Sequence, residues 1–189
     1  MACISKLAMS IAYDCNTGLT GIESAIIINK EDIAVVTYAD PAIYVSALTL
    51  KPGAKAYRID TVKRVLTIAE TLKINDGAPN AFTHSATMTL TAAGAPNSTG
   101  TISPEQFALG LMSFTNGNFV IIARKAAGGV GFGYGMYYGL SATAFDRASH
   151  DNGGFVTVTL ETPENVLGED PIIIAPGLYD SLYNAANPT

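Results

Sequence analysis

The run KAAGGVGFGYGMYYGLSATAF, Lys125 to Phe145, decides the fold. It has no charged residue after Lys125 and contains six glycines and five aromatic rings. From 129 to 135 glycine occupies every second position, and large side chains occupy the positions between. A period of two is that of a β-strand, because successive side chains of a strand point to opposite faces. The run therefore predicts a strand over 130–145 with one large apolar face and one nearly bare face.

Other interpretations of this run fit less well. A phosphate-binding loop needs a Lys directly after its glycines, and a dinucleotide fingerprint needs the spacing G-x-G-x-x-G; neither occurs here. A membrane helix meets the length requirement of about 20 residues, but glycine inside a helix costs about 1 kcal/mol relative to Ala. A flexible glycine loop at 127–131 followed by an ordinary strand is the remaining alternative.

The bare face of this strand is the first candidate interface. Glycine faces occur where another backbone approaches closely or where a sheet bends strongly. A ribbon that runs between subunits would supply either condition. We therefore expect Gly129, Gly131, Gly133 and Gly135 to contact a neighbouring subunit.

The second candidate interface is a long hairpin over about 57–91. The segment 57–75 is rich in β-branched residues and favours a strand, although RVLTIAETLK could also be helical. Residues 84–92 alternate as a strand does, and NDGAPNAF at 75–82 has the composition of a hairpin tip. We expect this hairpin to form an arm with Asp76, Gly77, Pro79 and Asn80 at its contact surface.

The remaining patterns give the fold class. Further alternating or apolar runs predict strands at 22–28, 33–40, 43–50, 119–124 and 155–161, and a last strand in EDPIIIAP at 169–176. Ser103, Pro104 and Gln106 begin the clearest helix, over about 103–114, with a capping box and Pro at the first helical position. GLYDSLYNAA near the end is a candidate for a second, short helix. The sequence thus predicts one mainly β domain over 1–189: a sandwich or barrel with one flanking helix and a hairpin arm.

Amino-acid composition and net charge limit the classes of function that the chain can have. Charged residues make up only 14% of the chain, against roughly 25% in soluble domains, which suggests that copies of the chain cover much of its surface. The net charge of −5 and the pI of about 4.9 exclude a surface that grips nucleic acid. Such a surface still allows DNA to slide past without sticking. Cys3 and Cys15 are expected to be reduced, because the N-terminal residues do not resemble a secretion signal.

No catalytic constellation is recognisable in the sequence. His84 and His150 have no neighbours at the spacing of metal ligands, and no nucleophile or metalloprotease motif occurs. Glu31–Asp32 and Glu169–Asp170 are interpreted as solvated charges at turns. Phe132, Tyr134 and Tyr138 could form a stacking platform for bases or sugars, but core packing is the preferred interpretation. We expect no catalytic activity, no cofactor and no metal.

Four segments carry a resemblance to a known family: the opening MAC with DCNTGLTGIESAIIINKEDI at 14–33, PGAKAYRID at 52–60, the single capped helix, and FVTVTLETPENVLGEDPIII at 155–174. In their order along the chain and in their residue patterns they resemble the major tail proteins, or tail tube proteins, of bacteriophages, particularly of phages that infect Bacteroidetes. The Gly/Tyr run departs from that pattern.

The resemblance implies a structural virion protein that assembles into hexameric rings, which stack into a tail tube through an arm that reaches the next ring. It implies as partners the chain itself, a tape-measure protein, a tail terminator or baseplate protein, and DNA as transient cargo of the lumen, with no membrane. It places the protein in the virion tail, assembled in the host cytoplasm. The alternatives are a binding or decoration module, for capsids or carbohydrates, and the tube of a non-phage injection system.

Overall fold

The structure is a computed structural model that describes residues 21–40, 43–59, 66–74, 76–77, 79–90, 96–97, 100–101, 112–125, 130–147, 156–169 and 172–186. Its strands are β1 Ile22–Asn29, β2 Ile33–Ala39, β3 Tyr44–Leu50, β4 Tyr57–Arg58, β5 Leu66–Lys73, β6 Ala81–Leu90, β7 Pro96–Asn97, β8 Gly100–Thr101, β9 Asn118–Lys125, β10 Gly131–Tyr134, β11 Leu140–Arg147, β12 Val156–Glu161 and β13 Ile172–Ile174. A 3-10 turn spans Lys30–Asp32, and helix α1 spans Pro176–Ala185.

Eleven of these strands form one sheet. Its main path runs β2-β3-β13-β10-β9-β11-β12-β6-β5, while β1 pairs with both β9 and β4. Neighbours are antiparallel, except that β13 and β3 are parallel. β7 and β8 form a separate two-stranded ladder. A mainly β fold with a flanking helix was expected from the alternating patterns, and this prediction is confirmed.

The centre of the fold is the β1–β9 pair, which is buried on both faces. β9 pairs with β1 along one edge, and with β10 and then β11 along the other. Consecutive residues of β1 enter different cores: Ile26 and Ile28 enter one, and Ala25 and Ile27 the other. Since successive side chains of a strand point to opposite faces, the two cores lie on opposite faces of this pair. Burial on both faces explains why the sequences of β1 and β9 contain consecutive apolar residues instead of an alternating pattern.

Each core has its own cover. Core A is closed by strands β5, β6 and β12, and core B by α1 together with β3 and β13. Core A comprises Ala25, Ile27, Leu66, Ala86, Met88, Phe119, Ile121, Ala123, Tyr134, Leu140, Val156, Val158 and Leu160. Core B comprises Ile26, Ile28, Val45, Leu48, Ala56, Val120, Ile122, Met136, Ile172, Ile174, Tyr179 and Leu182.

The single strand predicted over 130–145 is interrupted in the structure. β10 and β11 run in the same direction along one edge of β9, with Tyr134 opposite Ile121 and Leu140 opposite Phe119, and a turn at 135–139 separates them. Gly135 and Gly139 both have a φ of +75°, which breaks the extended backbone, and the Gly139 N–H donates to the Gly135 carbonyl at 2.9 Å. The period of two marks β10 correctly, but it does not reveal this turn.

The predicted hairpin is present, but it is not a free arm. β5 and β6 pair from Leu66↔Met88 to Lys73↔Ala81, so the helical alternative for 66–73 is wrong. The other edge of β6 pairs with β12, and the chain at 162–169 continues along it. Only the tip beyond Lys73 extends past these contacts. Of the helix predicted over about 103–114, residues 112–114 are helical and the helix continues to 116, while 103–111 lie outside the described residues. The short terminal helix is confirmed as α1.

Candidate functional site: the sheet edges and the Glu169 junction

The glycine face of β10 is covered by its own chain. Gly131, Gly133 and Gly135 are all buried. A Cβ added at Gly131 would lie 3.1 Å from the Tyr179 ring, and one at Gly133 would lie 3.0 Å from the Met136 side chain. The expectation that these three residues contact a neighbouring subunit is therefore wrong, because the chain itself occupies the space that a neighbour would need: core B covers Gly131 and Gly133, and Leu140 of core A with the Phe119 carbonyl covers Gly135. Gly129 lies outside the described residues.

The tip of the β5–β6 hairpin is at the surface. Asp76, Gly77, Pro79 and Asn80 are exposed, and Ile74 just before them has 75% of its surface accessible. A side chain added at Gly77 would meet nothing within 4 Å. These residues are thus accessible for contact with another molecule, and their role as an interface remains a prediction.

The two ends of the sheet are the second accessible feature. β2 pairs with β3 and β5 pairs with β6, and neither has a partner on its other side among the described strands. Both carry exposed apolar side chains: Val35 on β2 is 57% accessible, and Leu72 on β5 is 50% accessible. An unpaired strand edge presents N–H and C=O groups that can pair with a strand of another chain.

A buried carboxylate, that of Glu169, lies between the β5–β6 hairpin and the 135–139 turn. Glu169 is only 4% exposed. Its Oε1 accepts a hydrogen bond from Met136 N at 2.7 Å, and its Oε2 accepts one from Tyr137 N at 2.6 Å. Its own N–H donates to the Phe82 carbonyl on β6 at 2.8 Å. The interpretation of Glu169 as a solvated turn charge is wrong: the carboxylate caps the 135–139 turn while its backbone is bonded to β6.

Lys30 contacts the same turn from the 3-10 segment. Its Nζ donates to the Met136 carbonyl at 2.8 Å. Burial lowers the pKa of Lys30, and the negative charge of Glu169 opposes this shift. Lys30 and Glu169 thus bond both polar groups of the Met136 backbone, which fixes the turn at its first residue after Gly135.

His84 lies beside this carboxylate in the core. Its side chain is fully buried, and Nδ1 is 3.5 Å from Glu169 Oε1. Neither ring nitrogen has a hydrogen-bond partner. The Tyr134 ring meets the imidazole edge-on at 5.1 Å. Burial raises the pKa of Tyr134, and a hydrogen bond and charge from Glu70 raise it further. His84, Glu169, Tyr134, Glu70 and Lys30 are together called the Glu169 junction.

The turn above the junction presents aromatic rings. Tyr137 and Tyr138 are 42% and 41% exposed. Tyr137 stacks on Tyr38 of β2 with ring centroids 5.7 Å apart and planes 5° from parallel. Burial raises the pKa of Tyr38, and its interaction with Tyr137 adds to the shift. Tyr134 is in the core as preferred from the sequence, whereas Tyr138 is accessible and Phe132 is half-buried.

The described part of the chain has neither a group of metal ligands nor a membrane-spanning helix. No group of three or more His, Cys, Asp or Glu side chains in that part of the chain is placed to hold a metal ion. None of the helices there is long and apolar enough to cross a membrane. Comparison of the chain with protein-family models, with curated proteins and with solved structures gave no match.

Sequence reasoning missed the Glu169 junction for a topological reason. His84 and Glu169 are 85 positions apart in the chain, and Glu169 meets Met136 across 33 positions. No local spacing relates them. They meet because β6 and the segment after β12 lie side by side. This contact can be predicted only when the strand order is known.

Proposed function

We propose that the chain is a structural protein that assembles into rings by pairing the β2 edge of one copy with the β5 edge of the next, and that these rings stack into a phage tail tube. The observation that carries the proposal is that the described sheet ends on both sides in an exposed, unpartnered strand. The sequence resemblance supplies the tail tube as the kind of assembly.

Two different edges on one molecule favour a ring. A contact between unlike surfaces repeats head to tail, and it closes into a ring when the rotation between copies allows. Such closure removes exposed edges, which are otherwise an aggregation hazard. Val35 and Leu72, each at least half exposed, would lose their contact with water in the joint.

The charge of the chain fits a conduit for DNA. A net charge of −5 repels phosphate, so a lumen lined by this chain would not hold the genome in transit. In the proposed tube the tip with Ile74, Asp76 and Gly77 contacts the stacked ring; in support, these residues are exposed and lie beyond the paired part of the hairpin.

The first test is proline substitution on each edge. Successive residues of an antiparallel edge strand direct their N–H groups alternately toward the partner strand and outward. We therefore expect one of Thr71→Pro and Leu72→Pro to keep the melting temperature near that of the wild type while it blocks assembly. Val35→Pro and Val36→Pro are the equivalent pair on β2. Light scattering and negative-stain electron microscopy over a concentration series measure assembly.

Mixing the two edge-blocked proteins provides the matched control. Each retains one intact edge, so a mixture should form 1:1 dimers and nothing larger, whereas each variant alone should stay monomeric. If both folded edge variants form the same rings or tubes as the wild type, edge pairing is contradicted. Wild-type protein that stays monomeric at all concentrations, even with preformed tube ends as nuclei, would contradict assembly altogether.

A binding or decoration module is the second candidate, and the exposed Tyr137 and Tyr138 favour it. Accessible rings provide flat apolar faces on which sugar rings can stack. A glycan array with the wild type and with Tyr137→Ala and Tyr138→Ala distinguishes the two functions: binding that requires these rings, together with a monomeric state, would favour the module.

A further inference from the structure

His84 is a buried ionisable group whose polar atoms have no partner. Its side chain has no accessible surface, and both ring nitrogens lack hydrogen bonds. A buried polar atom without a partner destabilises the folded state, so the neutral ring is poorly accommodated. The nearest acceptor is Glu169 Oε1, 3.5 Å from Nδ1.

The charged and titratable groups that face His84 are predominantly acidic. Glu169 lies on the segment after β12, and Glu70 on β5 is the cross-strand neighbour of His84. Tyr134 on β10 contacts the ring edge-on and is hydrogen-bonded to Glu70. Lys30 of the 3-10 turn interacts with Glu169 and donates to a backbone carbonyl. A proton on His84 would thus add a positive charge 3.5 Å from the Glu169 carboxylate.

The carboxylate beside His84 holds two parts of the fold together. Its oxygens accept the Met136 and Tyr137 N–H groups, which fixes the turn that carries the exposed tyrosines. His84 itself belongs to the β5–β6 hairpin, where its N–H donates to Thr162 Oγ1 at 2.9 Å. A bond between imidazolium and carboxylate would therefore join the hairpin to the turn through side chains.

We propose that His84 and Glu169 form a proton-operated latch, in which protonation of His84 closes an ion pair with Glu169 and fastens the β5–β6 hairpin to the 135–139 turn. In acid the latch is closed and the turn is held more tightly. At higher pH the imidazole is neutral, Glu169 keeps its two backbone hydrogen bonds, and the turn opens more often. The latch is a property of one chain and does not depend on the proposed assembly.

Hydrogen exchange at the turn tests the latch. The amides of Met136 and Tyr137, corrected for intrinsic exchange, should be protected about tenfold more at pH 5 than at pH 8, the range over which histidine ordinarily changes charge. In His84→Phe, which keeps an aromatic ring against Tyr134, the two amides should show no such change.

His150→Gln is the matched control, because His150 is the only other histidine of the chain; its pH response should equal that of the wild type. Equal protection of the two amides at pH 5 and pH 8 in the wild type would overturn the latch. So would an unchanged response in a folded His84→Phe protein. If His84→Phe does not fold, Glu169→Gln decides: its two amides should be equally protected at pH 5 and pH 8, and a difference as large as that of the wild type overturns the latch.

Discussion

The β5–β6 hairpin and the β10–β11 segment have opposite designs. The β5–β6 hairpin is long and regular, with eight consecutive cross-strand pairs, and β5 lies at the edge of the sheet with five of its eight residues exposed. β10 and β11 do not pair with each other: both run along one edge of β9, and a turn with buried glycines separates them. This segment also divides the sheet, since β10 continues toward β13 and β11 toward β12.

The difference shows what the turn in each region requires of its residues. At the exposed tip of the β5–β6 hairpin, a side chain at Gly77 would meet nothing within 4 Å. In the buried 135–139 turn both the backbone angles and the space are restricted, and a Glu from elsewhere in the chain accepts hydrogen bonds from two of its N–H groups. The exposed tip can change at little cost to folding, and so can serve contacts with other molecules. The buried turn determines how the two cores join.

The largest effect that separates the two turns is expected from adding a side chain at each of them. Gly135→Val should destabilise the protein by about 3 kcal/mol or more, because a β-branched residue is strained at a φ of +75° and its Cβ would lie 2.9 Å from the Phe119 carbonyl. Chemical denaturation measures the loss in the free energy of unfolding.

Gly77→Val at the tip is the matched substitution, and it should change that free energy by less than about 0.5 kcal/mol. Equal losses at the two glycines would remove the distinction between the two turns. A large loss at Gly77 alone would mean that the tip, and not the buried turn, determines folding.

A smaller effect is expected where the β5–β6 hairpin meets the buried turn. Glu169→Gln keeps the shape of the side chain but leaves an amide NH₂ facing one of the two backbone N–H groups, so one of them loses its acceptor. Burial of an unpaired donor should reduce the free energy of unfolding by about 2 kcal/mol. Glu161→Gln is the control, because Glu161 lies on β12, also beside β6, but accepts one side-chain hydrogen bond, from Ser85 Oγ at 3.0 Å. A loss below about 0.5 kcal/mol at both positions would mean that the Glu169 carboxylate does not support the turn.

The sequence predicts the regular hairpin much better than the buried turn. Alternation and turn composition mark β5, β6 and the exposed tip because an edge hairpin obeys local rules. In the run after Lys125 the alternation holds for β10 only, and Gly135 and Gly139 serve a turn whose backbone angles leave no periodic trace. The bare face was correctly recognised as a close approach, but the approaching atoms belong to Tyr179 and Met136 of the same chain.

The parts of the candidate site also differ in whether they could be predicted from the sequence. The exposed tip could be located from composition alone. The free edges β2 and β5 could not, because edge position depends on strand order, and the parallel pairing of β13 with β3 has no sequence signal. The burial of Glu169 was hidden for a related reason: acidic residues near turns are usually solvated, and only tertiary structure brings Met136 and Tyr137 to this one.

The smallest effect concerns alkaline pH and Tyr134, the last residue of β10 before the buried turn. Burial raises the pKa of Tyr134, and Glu70 on the β5–β6 hairpin adds to the shift, so the folded protein keeps this proton when the unfolded chain loses it near pH 10. The folded state then binds more protons than the unfolded state, and the free energy of unfolding falls as pH rises above about 10. Tyr38 and Tyr179 contribute in the same direction. In Tyr134→Phe the fall between pH 10 and pH 11 should be smaller by about 1 kcal/mol. In Glu70→Gln it should stay close to that of the wild type, because burial is the larger cause of the shift. Identical slopes in the wild type and Tyr134→Phe, measured by denaturation at each pH with tyrosinate absorbance as the second readout, would mean that Tyr134 is not held in the core against ionisation.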